Sequence, residues 1–500
     1  MREATGSNTV VHLDDAPNWG RQSVRRAERI HQVIAAVSKE GPLPFPELVD
    51  RLPDIQDKDH LRKEIVADAA AAEILMAATG KHWDLPKALT AANGNRTHYV
   101  GVGREVGCVL GISVGRTYFA LGVADSNGRL ISQHDRKALK EEGAKAADAQ
   151  AQYVQGQIVT YARNEDVVGE ALLSEIAAAA KQWMKEVDVE PREIRGVTIG
   201  LPVPVSTTRS KVLTKSLEIP LSSVPHIASS FEEELGEDFT SLQKVIVSND
   251  ADIAARAEVR YGEAYGMKDV VVLHAAYGIG AGVLAEGKVL RTTAGGGIGE
   301  VGHCMPMIRR DDGQRFGLLP LSVEHPVYKC ACGQLGHLEA LAGGSAIIGR
   351  IKHSPGIDPA PPDDVAKLLK DEKANDADVL GAILDASFGS PAWEPGRAAV
   401  LDAARLIGCS IHTLTLVFRP EAVYLGGKLS EAGNSFLKEV KASFTKCGPL
   451  TGYEPKIALG TAGSQFGRRH VMVRGAAMTA VRGTESLVDV KEIAEKLAAV

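Results

Sequence analysis

Gly297-Ile298-Gly299-Glu300-Val301-Gly302-His303 and, further on, Cys330-Ala331-Cys332-Gly333-Gln334-Leu335-Gly336-His337-Leu338-Glu339 are the two segments from which the chain is best read. Together they offer His303, Cys330, Cys332 and His337. Two thiolates and two imidazoles form a tetrahedral zinc set. Cys330 and Cys332 are too close in the chain for a relaxed disulfide. They sit in a loop between Lys329 and Gly333, which is poor company for core cysteines. Cys304 remains open as a substitute ligand. With every position filled by protein, Zn2+ here is structural and needs no open site for catalysis. Six cysteines in 500 residues do not make a disulfide framework.

Upstream, Ser248-Asn249-Asp250-Ala251-Asp252 follows the apolar run Val245-Ile246-Val247 and precedes an Ala-rich helical stretch. Open α/β sheets place ligands at the carboxyl ends of their strands. Asp250 is suited to take a proton from a hydroxyl, and Asn249 can both donate and accept. The same residues serve equally well as a helix cap. Gly111-Ile112-Ser113-Val114-Gly115-Arg116-Thr117 lies between two apolar strands. It reads as a hairpin offering backbone N–H groups to phosphate, or as a plain turn. It carries no carboxylate to hold a magnesium-bound water. Tyr277-Gly278-Ile279-Gly280-Ala281-Gly282 is a third glycine run, open to the same two readings.

Beyond these segments the texture is that of an α/β protein. Glycine is abundant, at 51 residues, and aromatics make up 5%, which suits many tight strand–loop–helix turns. Strands are expected at 108–112, 118–124, 129–133, 194–201, 245–247, 270–273, 282–290 and 422–425. Mainly helical stretches are expected at 136–192 and 365–417. No short-period repeat is visible. Ahead of this, Ile30, Val33, Ile34 and Val37 mark one face of a helix. A short helix at 45–52 and a third at about 58–78 complete a helix-turn-helix pattern. The net charge of −6 gives no generally basic nucleic-acid surface. No apolar run of membrane-spanning length and no leader pattern are legible, so a cytoplasmic protein without a membrane partner is expected.

In this order the motifs resemble the ROK family of repressors, open reading frames and sugar kinases. The resemblance rests on Gly299-Glu300-Val301-Gly302-His303, on Cys330-x-Cys332-Gly333-x-x-Gly336-x-Leu338-Glu339 and on Asn249-Asp250-Ala251. It also rests on Pro420-Glu421-x-Val423-x-Leu425-Gly426-Gly427 and Arg474-Gly475-Ala476-Ala477. It implies a two-lobed, actin-like α/β core preceded by a small α-helical, winged-helix-like domain. The expected division is a tail at 1–19, a DNA-reading domain and linker at 20–105, lobes at 106–245 and 246–485, and a closing helix at 486–500. The resemblance further implies that Asn249, Asp250, Glu300, His303 and Glu339 line a sugar, with the Asp250 position the base in the kinases. The His303 position serves zinc with one ring nitrogen and the sugar with the other.

The departures from the family pattern point to function. The kinases begin with D-x-G-x-T, and Ser113 stands in place of the Asp. Their second phosphate turn usually reads G-T-G, and here it is Ala276-Tyr277-Gly278. Pro202-Val203-Pro204 replaces P-G-P near the sugar, and His337 stands where a third cysteine is usual. The expectation is therefore a sugar-responsive transcriptional regulator, a homo-oligomer on double-stranded DNA, with the phosphate half of the site eroded. The alternative is an ATP- and Mg2+-dependent hexose or amino-sugar kinase. Residues 1–100 hold 13 Lys and Arg against 14 Asp and Glu, so local charge on DNA would have to come from Arg21, Arg25, Arg26 and Arg29.

Overall fold

The computed structural model describes residues 21–40, 42–52, 74–79, 98–103, 106–115, 118–132, 157–163, 166–206, 211–212, 221, 223–291, 298–306, 329–354, 356–371, 374–448, 452–462, 468–483 and 493. Helix α1 (Arg21–Glu40) turns the predicted face inward: Ile30, Val33, Ile34 and Val37 are all buried. After strand β1 (Leu43–Pro44) comes helix α2 (Phe45–Asp50), with a proline in its first turn, where the missing N–H costs nothing. Strand β2 (Leu75–Thr79) corrects the expected third helix at its end. It pairs antiparallel with β3 (His98–Val102), which also pairs with β1. The Ala-rich local pattern hides a partner that lies far downstream. Among the described residues, the N-terminal unit thus adds a three-stranded sheet to the expected helices of a winged-helix-like domain. Residues 1–19, 53–73, 92–95 and most of 486–500 lie outside the described residues. Ile493 alone of the last group is described, and it is buried.

The first lobe is a five-stranded sheet. Its strands are β4 (Cys108–Val114), β5 (Tyr118–Asp125), β6 (Val159–Ala162), β7 (Ile194–Leu201) and, beyond the short pair β8 (Val205–Ser206) and β9 (Lys211–Val212), β10 (Lys244–Asn249). The order is β10-β7-β4-β5-β6. The third strand is β6, not the expected 129–133, where only Leu130 bridges back to Ala124. Strand β6 also interrupts the mainly helical stretch expected at 136–192. Helices α3 (Glu170–Glu186) and α4 (Ile227–Leu235) pack one face of this sheet.

Helix α5 (Asp250–Tyr261) leads into the second lobe. Its sheet comprises β11 (Val270–Ala275), β12 (Ile279–Ala285), β13 (Lys288–Val289), β14 (Ala422–Gly426) and β15 (Lys456–Leu459), ordered β13-β12-β11-β14-β15. Counted within each lobe, both sheets read 3-2-1-4-5, with two antiparallel hairpins followed by two parallel strands. This duplication makes the core actin-like. It leaves no residue-level repeat because packing constrains side-chain type and not identity.

Between β13 and β14 lie α6 (Leu338–Ala342), α7 (Gly344–His353), α8 (Asp363–Lys370), α9 (Asp376–Phe388) and α10 (Glu394–Phe418). Helix α10 is long and apolar enough to span a bilayer by composition, which the sequence reading overlooked. Most of that apolar stretch is buried against α11 (Gly433–Lys446), α6 and α9, as expected of a core helix. Helix α12 (Arg468–Gly483) returns to pack on β4, β5, β7 and β10 and beside α5. The expected border at 245/246 therefore cuts through β10, and α12 packs with the first sheet.

A seam joins the N-terminal unit to the first lobe. Asn127, in the tight turn after β5, accepts from the Val102 N–H at 2.7 Å and donates to the Val102 carbonyl at 2.8 Å. Tyr261, the last residue of α5, donates its hydroxyl to the Gly128 carbonyl at 2.7 Å. Residues of α1, β3 and α12 share one apolar core across the seam.

Candidate functional site

The two quoted segments meet above β12. The loop carrying Glu300 lies so close to this strand that a Cβ at Gly299 would fall 1.4 Å from the Ala281 carbonyl oxygen. At Gly302 it would fall 2.1 Å from the Ile279 carbonyl oxygen. Both glycines are required by contact, which explains the spacing of G-E-V-G-H. A 3-10 turn over Val301–His303 then presents His303. The Leu338 N–H donates to the Cys304 carbonyl at 2.8 Å and ties that turn to the start of α6. Cys330 and Cys332 sit in a tight turn in which the Cys330 N–H donates to the Gln334 carbonyl and the Gly333 N–H to the Cys330 carbonyl.

One donor atom from each of His303, Cys330, Cys332 and His337 lies within 4.8 Å of the other three. His303 Nδ1 is 3.4 Å from His337 Nδ1 and 3.4 Å from Cys330 Sγ, and Cys332 Sγ is 3.2 Å from His337 Nδ1. A zinc tetrahedron with bonds of about 2.0 Å to nitrogen and 2.3 Å to sulfur has edges of roughly 3.3–3.7 Å, so the four residues fit that ion. Cys304 is exposed and stands outside this group. Burial and the neighbouring His303 lower the pKa of His337, which favours the neutral, ligating ring. Burial pushes the Cys330 thiol up to about 12, with Glu339 and Cys332 adding to it. A cation among the four donors offsets that cost of ionisation.

The ring of His303 faces two ways. Its Nδ1 looks into the four-residue cluster, while Nε2 lies 3.6 Å from Glu300 Oε2. In one cleft, the charge of Glu339 acts on Asp250, and those of Asp250 and Glu339 act on Glu300. Asp250 retains some solvent access at the cleft surface, yet the surrounding protein pushes its carboxyl up to about 7, and Glu339 adds to the shift. Glu300, though exposed to solvent on one side, is also raised, chiefly by partial desolvation and against the pull of His303. Such a group of carboxylates can accept hydrogen bonds from several hydroxyls, and Asp250 is poised to exchange a proton.

Two of the expected residues are already engaged by protein. Asn249 caps α5 through Oδ1 on the Ala251 N–H at 2.9 Å and donates to the Val203 carbonyl at 3.1 Å. The cap reading of this position therefore holds. Glu339 accepts from the Ile279 N–H at 3.1 Å through Oε2, and its Oε1 lies 3.6 Å from the Cys330 sulfur. Glu339 thus ties the cysteine turn to the Tyr277–Ile279 turn. Gly280 and Gly282 belong to β12, and Gly282 makes room for the Ala251 carbonyl of α5 rather than for a phosphate. Ser113 is 5% exposed within β4.

Sequence reading missed one group beneath Asp250. Asp252 is buried and lies 3.6 Å from Arg291 Nε, while Arg291 Nη2 donates to Ser248 Oγ at 3.0 Å. The signal was an acid placed between Ala251 and Ile253 on the inward face of an Ala-rich helix. Its partner lies well along the chain and no pattern announces it.

The sequence profile of the ROK family matches residues 109–477. The chain belongs to the ROK family. Among ROK proteins, a xylose repressor of Caldicellulosiruptor bescii is 25% identical over 354 residues, covering 70% of this chain and 72% of the relative. The crystal structure of a ROK hexokinase from Thermus thermophilus is 26% identical, with a TM-score of 0.50, and covers 75% of this chain and 97% of its own. The crystal structure of a ROK transcriptional regulator, a homologue of the Escherichia coli MLC protein, shares the fold over 92% of this chain and 100% of its own. Its TM-score is 0.54 at 17% identity.

Proposed function

We propose that this ROK protein is a sugar-responsive transcriptional regulator. It takes a sugar in the cleft at Asn249, Asp250, Glu300, His303 and Glu339, and its N-terminal helix-turn-helix unit reads double-stranded operator DNA as part of a homo-oligomer. Zn2+ held by His303, Cys330, Cys332 and His337 is the structural cofactor in this reading. It fixes the His303 ring so that the other nitrogen is aimed at the sugar side. A role on DNA places the protein in the cytoplasm.

The observation that carries the reading is an imbalance within one cleft. The carboxylates and His303 on the sugar side converge, while β4 presents a buried Ser113 where a kinase has its phosphate-loop carboxylate. Without that carboxylate, a magnesium-bound nucleotide lacks an acidic partner. The xylose repressor among the relatives supports the same direction, as does the mixed N-terminal unit ahead of the core. One observation favours the kinase alternative: Asp250, at about 7, has the pKa of a working base.

Two measurements separate the readings. Purified protein given ATP, magnesium and a panel of hexoses is expected to release no ADP above background, and clear turnover would overturn the regulator reading. Salt-dependent binding to the DNA upstream of its own coding sequence, altered by one sugar of the panel, is expected for the full chain. A truncation lacking residues 1–105 that binds that DNA equally well would defeat the N-terminal assignment.

A further inference from the structure

Helices α10 and α11 approach unusually closely at Gly408, where a Cβ would fall 2.4 Å from the Val440 carbonyl oxygen. One residue further on, Cys409 is buried in the same interface, and Cys447 stands half-buried just past the end of α11. The Cys447 thiol donates to Cys409 Sγ across 3.4 Å. An S–S bond is about 2.05 Å, so roughly 1.4 Å of approach separates contact from bond. Cys447 is followed by Gly448, at φ +75°, where the space around the backbone is open. Neither cysteine belongs to the metal cluster or the cleft.

The chemistry of the pair is asymmetric. Cys409 accepts from Cys447, and Ser443 Oγ also lies 3.3 Å from it. The single Ser443 hydroxyl hydrogen is committed to the Arg405 carbonyl at 2.7 Å, so Cys447 is the effective donor. That bond holds the Cys409 thiol at about 6 against the opposing effect of burial. Thiolates with a second thiol in contact are the ones that oxidants convert to disulfides.

We propose that Cys409 and Cys447 are a reversible disulfide site of this chain, formed by a peroxide. The Cys409 thiolate attacks one peroxide oxygen, the O–O bond breaks, and the departing hydroxide takes a proton to leave as water. Cys447 sulfur then attacks the Cys409 sulfenic acid, the S–O bond breaks, and a second water leaves. Two thiols are oxidised and one peroxide is reduced to two waters. The closed loop contains β14 and the Gly426-Gly427 turn, so the bond straps α10 to the end of α11 around the middle of the second lobe.

The test is peptide mapping of the full chain with its metal in place, treated with hydrogen peroxide and then alkylated. Trypsin leaves Cys409 in residues 406–428 and Cys447 in residues 447–456. The expected product is these two peptides joined, lighter by two hydrogens than their sum, and separated again by dithiothreitol. The joined species is expected to vanish in Cys447→Ser and, independently, in Cys409→Ala, with each variant checked for an unchanged melting profile. Full alkylation of both thiols after peroxide would overturn the proposal. So would preferential linkage of either one to Cys304, Cys330 or Cys332.

Discussion

Replacing Asn127 by alanine tests how the N-terminal unit is fastened to the first lobe. Asn127 is 5% exposed, and its amide satisfies both the N–H and the carbonyl of Val102. Deletion leaves two buried backbone groups without partners, at about 1–3 kcal/mol each, so the seam should weaken by roughly 2–6 kcal/mol. Water entering the vacated space returns part of this, and about 3 kcal/mol is expected. Local opening is read by amide hydrogen exchange, where 1.4 kcal/mol corresponds to a factor of about ten. A peptide containing Val102 should therefore exchange on the order of a hundredfold faster in Asn127→Ala, while peptides from β11 keep their wild-type rate. Asn127→Asp keeps the acceptor for the Val102 N–H and loses the donor to its carbonyl. With that donor lost and a carboxylate set against the Val102 carbonyl, the seam still weakens, so Val102 should exchange faster than in wild type here too. A change of less than about threefold at Val102 in the alanine variant would refute the clamp.

Three further outcomes follow from the site. Asp250 has a folded value of about 7 against an ordinary 3.8, so the folded chain holds a proton that the unfolded chain has lost between those values. Its contribution to stability is therefore full below about pH 4 and lost as pH rises through about 7, worth roughly 2–4 kcal/mol with allowance for water in the cleft. Melting curves of Asp250→Asn against pH should lack that slope, and parallel curves for variant and wild type would contradict it. Elemental analysis should find about one zinc per chain, lost in the Cys330→Ser, Cys332→Ser double variant; unchanged metal content would mean other ligands. Gly302→Ala drives a Cβ into the Ile279 carbonyl, whereas Gly280→Ala meets the Ala251 Cβ at an ordinary 3.4 Å. The first should cost about 2 kcal/mol or more and release metal, the second little, and equal melting of the two would undo the close-contact account.

What the sequence revealed depended on the range of the interaction. The inward face of α1 is written in Ile30, Val33, Ile34 and Val37, because helical periodicity is local. The four metal donors were legible because thiolates and imidazoles at those positions have few other uses, yet only the coordinates separate His337 from Cys304. Strands β2 and β6 fall in stretches whose sequence predicts helix, because their partners lie elsewhere in the chain and their short Ala- or Thr-containing runs have weak periodicity. The return of α12 to the first sheet, and the pairing of Asp252 with Arg291, are long-range facts with no local signature. Asn249 shows the reverse case. The local cap reading and the family-based ligand reading were both available, and the structure shows the cap made.

Helix α5 begins at Asp250 in the cleft and ends at Tyr261, whose hydroxyl holds the same turn that clasps Val102. Twelve residues of helix form a rod of about 18 Å, and a helix packed on both flanks resists bending more than it resists tilting. It is wedged between the two sheets, against β11 and β12 on one side and α12 on the other. One helix thus links the Asp250 carboxylate to the turn that clasps Val102, and midway along it Gly475 of α12 packs directly on Ile253 and Ala257.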